Sequence, residues 1–181
     1  MSYDQRRIRP ERDRPTLGEP HGEAIGKGEA RRCSYEILLV DDHPLVRQGI
    51  RTIIARKPDL AVVGELQDGL ELLDCLANML PQLIILDISL PHLGGIEATR
   101  LIKSSHPEIK VLLLTLNNRR EYVDQARLAG AEGYLLKDEV NKELLPAIEI
   151  LRQGGTYLSP LLTDCGSTGP CAPRSAAEAA T

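Results

Sequence analysis

Five short apolar runs, each followed by a segment with apolar residues at helical spacing, dominate residues 35–155. Continuously apolar runs of this length are typical of parallel strands that are covered on both faces. Crossovers between parallel strands are right-handed, so alternating strands and helices with short connections place helices on both faces of the sheet. The pattern therefore predicts an α/β fold with a doubly wound, five-stranded parallel sheet.

The ends of several elements are marked in the sequence. The strands are predicted at residues 37–40, 60–63, 83–87, 111–114 and 134–136. Pro58 and Pro81 are expected to stop the first and second helices, because proline cannot continue a helix. Leu80 belongs to the apolar face of that second helix. Gly130 is predicted to end the fourth helix in a left-handed conformation.

The two ends of the chain have a different composition. Residues 1–34 interleave Arg, Glu, Asp, Pro and Gly with hardly any apolar residues, which predicts a disordered tail. Residues 35–155 are predicted to form one domain. Residues 156–181 are predicted to be a linker remnant and a low-complexity tail of Gly, Ser, Thr, Ala and Pro.

Composition excludes several classes of function. A net charge of -4 gives no global basic field for nucleic acid, and 3% aromatic residues give no stacking platform for single strands. The start of the chain has no secretory signal, and no run approaches the about 20 apolar residues of a membrane span. We therefore expect a soluble, cytoplasmic protein without membrane contact.

Polar residues follow four of the predicted strands. Asp41 and Asp42 end the first strand, Asp87 the third, Thr115 the fourth and Lys137 the fifth. The carboxyl ends of parallel strands meet at one edge of the sheet, where ligands bind. Taken singly, Asp42 could cap a helix and Asp87 could be a turn residue. Their joint occurrence at one edge, with complementary chemistry, indicates a functional site instead.

The chemistry of this edge suits phosphoryl transfer to a carboxylate. Clustered carboxylates repel one another unless a cation shares the site, and Mg²⁺ prefers oxygen ligands of this kind. Asp87 can then attack a phosphoryl donor and carry an aspartyl phosphate. The sequence has no G-x-x-x-x-G-K-[ST] loop, so a P-loop nucleotide site is not expected.

The motifs around these residues resemble the receiver domain of two-component response regulators over about residues 35–155. They are Val-Asp-Asp-His at 40–43, Leu-Asp-Ile-Ser-Leu-Pro at 86–91, Gly95, Leu-Leu-Thr at 113–115 and Gly-Tyr-Leu-Leu-Lys-Asp at 133–138. The last motif, followed by Gly-Gly-Thr-Tyr-Leu-Ser-Pro, is similar to the NarL/FixJ (LuxR-type) branch. The resemblance implies a flavodoxin-like, CheY-like sheet with strand order 2-1-3-4-5.

The resemblance also implies a mechanism of signalling. Asp87 would accept phosphate from a sensor histidine kinase. Asp41 and Asp42 would hold Mg²⁺ together with Asp87, and the backbone carbonyl of Ser89 would complete the protein ligands. Lys137 would pair with the phosphoryl oxygens. The domain would be a phosphoacceptor with at most slow self-dephosphorylation, rather than an enzyme.

Switching and partners are implied in the same way. The Thr115 hydroxyl would swing toward the phosphoryl group and Tyr134 would rotate inward, although an aromatic ring at a strand end can simply be packing. Ser89 and Asn117 occupy positions that tune the lifetime of the phosphate. The kinase and a possible receiver–receiver homodimer are the partners, through a face formed by the fourth helix, fifth strand and fifth helix.

Two departures from the family pattern leave alternatives open. Asp138 stands where receivers usually have a proline after the lysine, so a cis bond there is left open. Residues 163–181 cannot supply a recognition helix, so direct DNA binding by this chain is not expected. One alternative is a LuxR-type transcriptional regulator whose DNA-binding domain is missing from this chain. The other is an aspartate-dependent phosphatase, which is disfavoured because Ser89 replaces the general-acid aspartate.

Overall fold

The structure is a computed structural model, and it describes residues 34–117 and 119–163. The predicted N-terminal tail up to residue 33 and the low-complexity tail after residue 163 lie outside the described residues. Within these ranges no helix is long and apolar enough to cross a membrane.

The sheet is parallel throughout and confirms the predicted fold class. Its strands are β1 Tyr35–Val40, β2 Leu60–Leu66, β3 Leu83–Asp87, β4 Lys110–Thr115, β5 Gly133–Leu136 and β6 Tyr157–Leu158. The order in the described part of the chain is β2-β1-β3-β4-β5-β6, so the predicted order of the first five strands is confirmed. The additional strand β6 lies beside β5 at the edge of the sheet.

Helices connect successive strands. They are α1 Pro44–Ile54, α2 Gly69–Leu76, α3 Gly95–Ser105, α4 Arg120–Leu128, α5 Val140–Arg152 and α6 Pro160–Thr163, with a 3₁₀ turn at Lys137–Glu139 before α5. Proline at the start of α1 is tolerated because the first amides of a helix have no intrahelical acceptor. Gly130 follows α4 with a φ of 93°, as predicted for a left-handed terminator.

Helix α2 is shorter than the sequence pattern predicts. The amides of Asn78 and Met79 both bond to the carbonyl of Cys75, at 3.0 Å each, which closes the helix in a tight turn. Leu80 therefore lies beyond the helix and is exposed, although its spacing placed it on the apolar face. The expectation that α2 continues to Pro81 is wrong, because this local turn ends the helix before proline is reached.

Two apolar layers cover the two faces of the sheet. Successive residues of a strand point to opposite faces, so Leu39 and Ile85 join one layer while Leu38 and Ile84 join the other. These four side chains are buried. The burial on both sides explains why the strands are continuously apolar rather than alternating.

Strand β6 carries the folded part of the chain past residue 155, where the sequence pattern placed the end of the domain. Gly133 pairs with Tyr157 and Tyr134 with Leu158 in parallel register. A strand of two residues has no measurable period, so it could not be found from hydrophobic patterning. Tyr157 and Leu158 are therefore part of the sheet and not only of a linker.

We expect Leu113→Ala to lower the free energy of unfolding by about 2–5 kcal/mol, because it leaves a cavity in a fully packed strand. Leu113 is 0% exposed, whereas Leu128 on α4 is 80% exposed. The matched variant Leu128→Ala should cost less than about 1 kcal/mol. Urea unfolding followed by circular dichroism measures both, and equal losses would contradict this packing.

Candidate functional site

Two buried carboxylates meet at the carboxyl end of the sheet. Asp41 follows β1 and Asp87 ends β3, and these strands are neighbours. Both residues are 1% exposed. Asp41 Oδ1 accepts the amide of His43 at 2.8 Å, and Asp87 Oδ1 accepts the amide of Ser89 at 3.1 Å. A backbone amide therefore holds each carboxylate through its Oδ1, and the Oδ2 of each carboxylate is left for other contacts.

Lys137 joins the two carboxylates. Its Nζ lies 2.8 Å from Asp87 Oδ2 and 2.8 Å from Asp41 Oδ2, and its side chain is 7% exposed. The contact with Asp87 is a hydrogen bond, whereas that with Asp41 is an ion pair without hydrogen-bond alignment. The strand ends thus bring together three residues that are far apart in the chain.

The protonation of Lys137 depends on these contacts. Burial lowers the pKa of Lys137, but the carboxylates of Asp41 and Asp87 outweigh burial and raise that pKa above its usual value. The ammonium is therefore charged at neutral pH. The stability that it contributes is fully present there and is lost only as the pH rises through the raised pKa.

Asp42 and His43 extend the cluster formed by Asp41 and Asp87 toward solvent. Asp42 Oδ1 lies 2.5 Å from His43 Nδ1. One ligand atom from each of Asp41, Asp42, His43 and Asp87 lies within 4.8 Å of the others. Asp41 Oδ2 and Asp42 Oδ1 are buried without a hydrogen bond. Oxygen atoms in this condition suit a hard divalent cation, so the residues fit the predicted Mg²⁺.

The predicted switch residues lie on the neighbouring strands β4 and β5, and both contact Asn117 in the loop after β4. Thr115 and Tyr134 are both buried. The Thr115 hydroxyl oxygen accepts the amide of Asn117 at 2.9 Å, and the Tyr134 hydroxyl donates to the Asn117 carbonyl at 3.4 Å. Burial raises the pKa of Tyr134, and the Thr115 hydroxyl partly offsets that rise. The tyrosine therefore points inward, toward the loop after β4.

Arg47 and His43 are site residues that were not singled out from the sequence. Arg47 on α1 is buried, and its guanidinium donates to the backbone carbonyl of Asp41 and to Glu65, the latter at 3.4 Å. It therefore holds the turn between β1 and α1. No pattern marks a buried arginine in advance, whereas His43 could have been found from its place in the Val-Asp-Asp-His motif.

Gly95 leaves room for the backbone of the central aspartate. A Cβ at this position would lie 2.2 Å from the carbonyl oxygen of Asp87 and 2.9 Å from its carbonyl carbon. The Gly95 amide also donates to the carbonyl of Ile88 at 3.0 Å. The first turn of α3 can approach the end of β3 this closely only because residue 95 has no side chain.

The bond between Lys137 and Asp138 is trans, since the described residues contain no cis peptide. This resolves the geometry that the sequence left open. The lysine reaches both carboxylates with a trans bond after it.

A doubly wound parallel sheet with three aspartates and a lysine at the carboxyl end of its strands is the architecture of a receiver-type signalling domain. Residues 37–149 match the response regulator receiver domain, and the chain belongs to this family. The resemblance of the sequence to the LuxR-type branch is confirmed by the relatives and solved structures that it matches.

Two curated relatives illustrate the similarity. The chain is 36% identical over 128 residues to the transcriptional regulatory protein DegU of Brevibacillus brevis, covering 71% of this chain and 54% of DegU. It is 35% identical over 127 residues to the nitrate/nitrite response regulator protein NarL of Escherichia coli K12, covering 70% of this chain and 59% of NarL. The chain thus spans between half and two thirds of each relative.

Solved structures agree with the fold. A LuxR-family two-component response regulator from Aurantimonas has a TM-score of 0.69 at 38% identity, covering 72% of this chain and 93% of that one. The non-phosphorylated receiver domain of RcsB from Escherichia coli has a TM-score of 0.66 at 29% identity, covering 70% and 98%. Both are matched over nearly their whole length, so the described region corresponds to a complete receiver domain.

We expect Gly95→Ala to destabilise the domain by about 1–3 kcal/mol, because the added methyl group overlaps the backbone of Asp87. Gly94→Ala is the matched control, since a Cβ there would lie 3.6 Å from the carbonyl of Ile88, an ordinary contact. It should cost no more than about 1 kcal/mol, as expected for a changed helix cap. Urea unfolding measures both, and a smaller loss for Gly95→Ala would contradict the close approach.

Proposed function

We propose that the chain is the receiver of a two-component phosphorelay and that a sensor histidine kinase phosphorylates Asp87. The observation that carries the proposal is the environment of this carboxylate. It is buried, with one oxygen on the Ser89 amide and the other on the Lys137 ammonium. A carboxylate that is oriented in this way is prepared for use as a nucleophile.

In the proposed reaction an oxygen of Asp87 attacks the phosphorus of the donor. A phosphorus–oxygen bond forms, and the leaving group of the donor departs with the electron pair of the bond that breaks. Lys137 neutralises charge on the phosphoryl oxygens. Positioning and charge neutralisation dominate phosphoryl transfer, so little further covalent work falls to the protein.

Magnesium is the proposed cofactor. Asp41, Asp42, Asp87 and the backbone carbonyl of Ser89 would hold it. When bound, the ion supplies positive charge for the carboxylates and the incoming phosphoryl group. The ligand atoms of Asp41, Asp42 and Asp87, which lie within 4.8 Å of one another, support this assignment.

We propose that phosphorylation biases a two-state equilibrium through Thr115 and Tyr134. Both residues contact Asn117, so a shift of the Thr115 hydroxyl is transmitted to the tyrosine through the loop after β4. Ser89 and Asn117 would tune the lifetime of the phosphate. The interaction face would comprise α4, β5 and α5, joined by β6 at the edge of β5, and a second receiver is one partner that it could bind.

Transcription is the proposed output, because DegU is named as a transcriptional regulatory protein. Direct DNA binding is not proposed for the described residues, of which 37–149 match the receiver domain. No observation favours an aspartate-dependent phosphatase, since the residue two positions after Asp87 is a serine.

We expect acetyl phosphate with Mg²⁺ to add one phosphoryl group to the protein, detected by intact mass. Asp87→Asn preserves the shape of the side chain but removes the nucleophile, so the adduct should disappear. Asp74→Asn, an exposed carboxylate on α2, is the matched control and should leave the adduct unchanged. An adduct that persists in Asp87→Asn would exclude this phosphoacceptor.

We expect Mg²⁺ to raise the melting temperature, since an ion that binds only the folded state at a hundred times its Kd stabilises by about 2.7 kcal/mol. Asp42→Asn removes one ligand charge and should need about tenfold more Mg²⁺ for the same shift. Asp74→Asn again serves as the control. Equal Mg²⁺ dependence in Asp42→Asn and wild type would place the ion elsewhere.

A further inference from the structure

Ser159 lies beyond residues 37–149, which match the receiver domain, and within the Gly-Gly-Thr-Tyr-Leu-Ser-Pro motif. It is one of the most buried polar residues of the described chain. It follows β6 and is 0% exposed. Its amide donates to the carbonyl of Tyr134 at 2.9 Å, which continues the pairing of β6 with β5. Ser159 is therefore held against the strand that leads to Lys137.

The hydroxyl of Ser159 connects the two sides of the turn that carries Lys137. The amide of Leu136 donates to Ser159 Oγ at 3.3 Å, and Ser159 Oγ donates to the carboxylate of Glu139. A serine hydroxyl has one proton and two lone pairs, so a single oxygen can serve both bonds. Leu136 precedes Lys137 directly, and Glu139 ends the 3₁₀ turn that begins at Lys137.

We propose that Ser159 is a positioning residue for the phosphoacceptor site, and that its hydroxyl holds the turn from which Lys137 reaches Asp41 and Asp87. The inference rests on the proposed function of that site and adds to it a residue from beyond the matched segment. Ser159 acts only through the turn. Lys137 meets two oxygens at 2.8 Å each, so a small displacement of its backbone would loosen both contacts.

Tyr157, on β6 just before Ser159, provides a matched control. Its hydroxyl donates to Glu143 of α5 at 2.7 Å. That bond joins β6 to α5 and does not involve the turn at Lys137. Tyr157→Phe therefore weakens the attachment of β6 while leaving the hydroxyl of Ser159 in place.

The first measurement is the rate of phosphorylation of the whole chain by acetyl phosphate with Mg²⁺, at a temperature where every variant is folded. We expect Ser159→Ala to slow it roughly tenfold, since a misplacement of about an ångström can cost up to about a hundredfold. Tyr157→Phe should stay within about twofold of wild type. Glu139→Ala combined with Ser159→Ala should be within about twofold of Ser159→Ala alone, because both remove the same link.

The second measurement follows Lys137 itself, through the NMR chemical shift of its Cε at neutral pH in protein labelled on lysine, with Lys137→Met to assign the signal. Lys137 Nζ lies 2.8 Å from Asp41 Oδ2 and 2.8 Å from Asp87 Oδ2. Ser159→Ala should move the Cε signal toward that of exposed lysines, because these contacts are loosened, and Tyr157→Phe should not. A general loss of stability would not separate the two variants in this way.

The outcomes distinguish this inference from the proposed function. Absence of a phosphoryl adduct in wild type would remove the proposed function, and the Cε signal of Lys137 would then decide the positioning role alone. A wild-type phosphorylation rate and an unshifted Lys137 signal in Ser159→Ala would overturn that role. It would also be overturned if Tyr157→Phe reproduced both effects, since docking of β6 in general would then be responsible.

Discussion

The ion contact of Lys137 with Asp41 and Asp87 is the interaction on which the rest of the site depends. Ionised carboxylates that are buried side by side repel one another and lose hydration, so they remain charged only if a cation is close. Lys137 provides that cation and keeps a raised pKa despite its own burial. Removal of the lysine or of the aspartates would leave an uncompensated charge in the interior, so the three residues depend on one another.

The parallel sheet makes this contact possible. Asp41, Asp87 and Lys137 each stand at or just after the end of a strand, and parallel strands end at one edge. The approach of α3 at Gly95 and the bond from Arg47 to the backbone of Asp41 then set the loops around the carboxylates. The strands thus set the distances between the three charged residues, and the short loops supply the polar groups around them.

The site residues lie within residues 37–149, which match the receiver domain, whereas β6 lies beyond them. The proposed receiver function gives a role to Asp87, to the acidic cluster, and to the pair Thr115 and Tyr134. The segment after α5 adds a sixth strand on β5, and Ser159 on that segment bonds to the turn of Lys137. A conformational change at β5 would therefore also displace β6 and the residues that follow it, because β5 and β6 share hydrogen bonds.

The sequence by itself determined the five main strands, the order of helices and strands, and the convergence of Asp41, Asp87 and Lys137. These follow from local hydrophobic patterns and from the general rule for parallel strands. Only the tertiary structure decided the early end of α2, the strand β6, and the bonds made by Arg47 and Ser159. The bonds of Arg47 and Ser159 join different elements, and β6 is too short to have a period. Helix α2 ends in a local turn that leaves the helical spacing of Leu73, Leu76 and Leu80 uninterrupted. None of these features therefore leaves a pattern in the sequence.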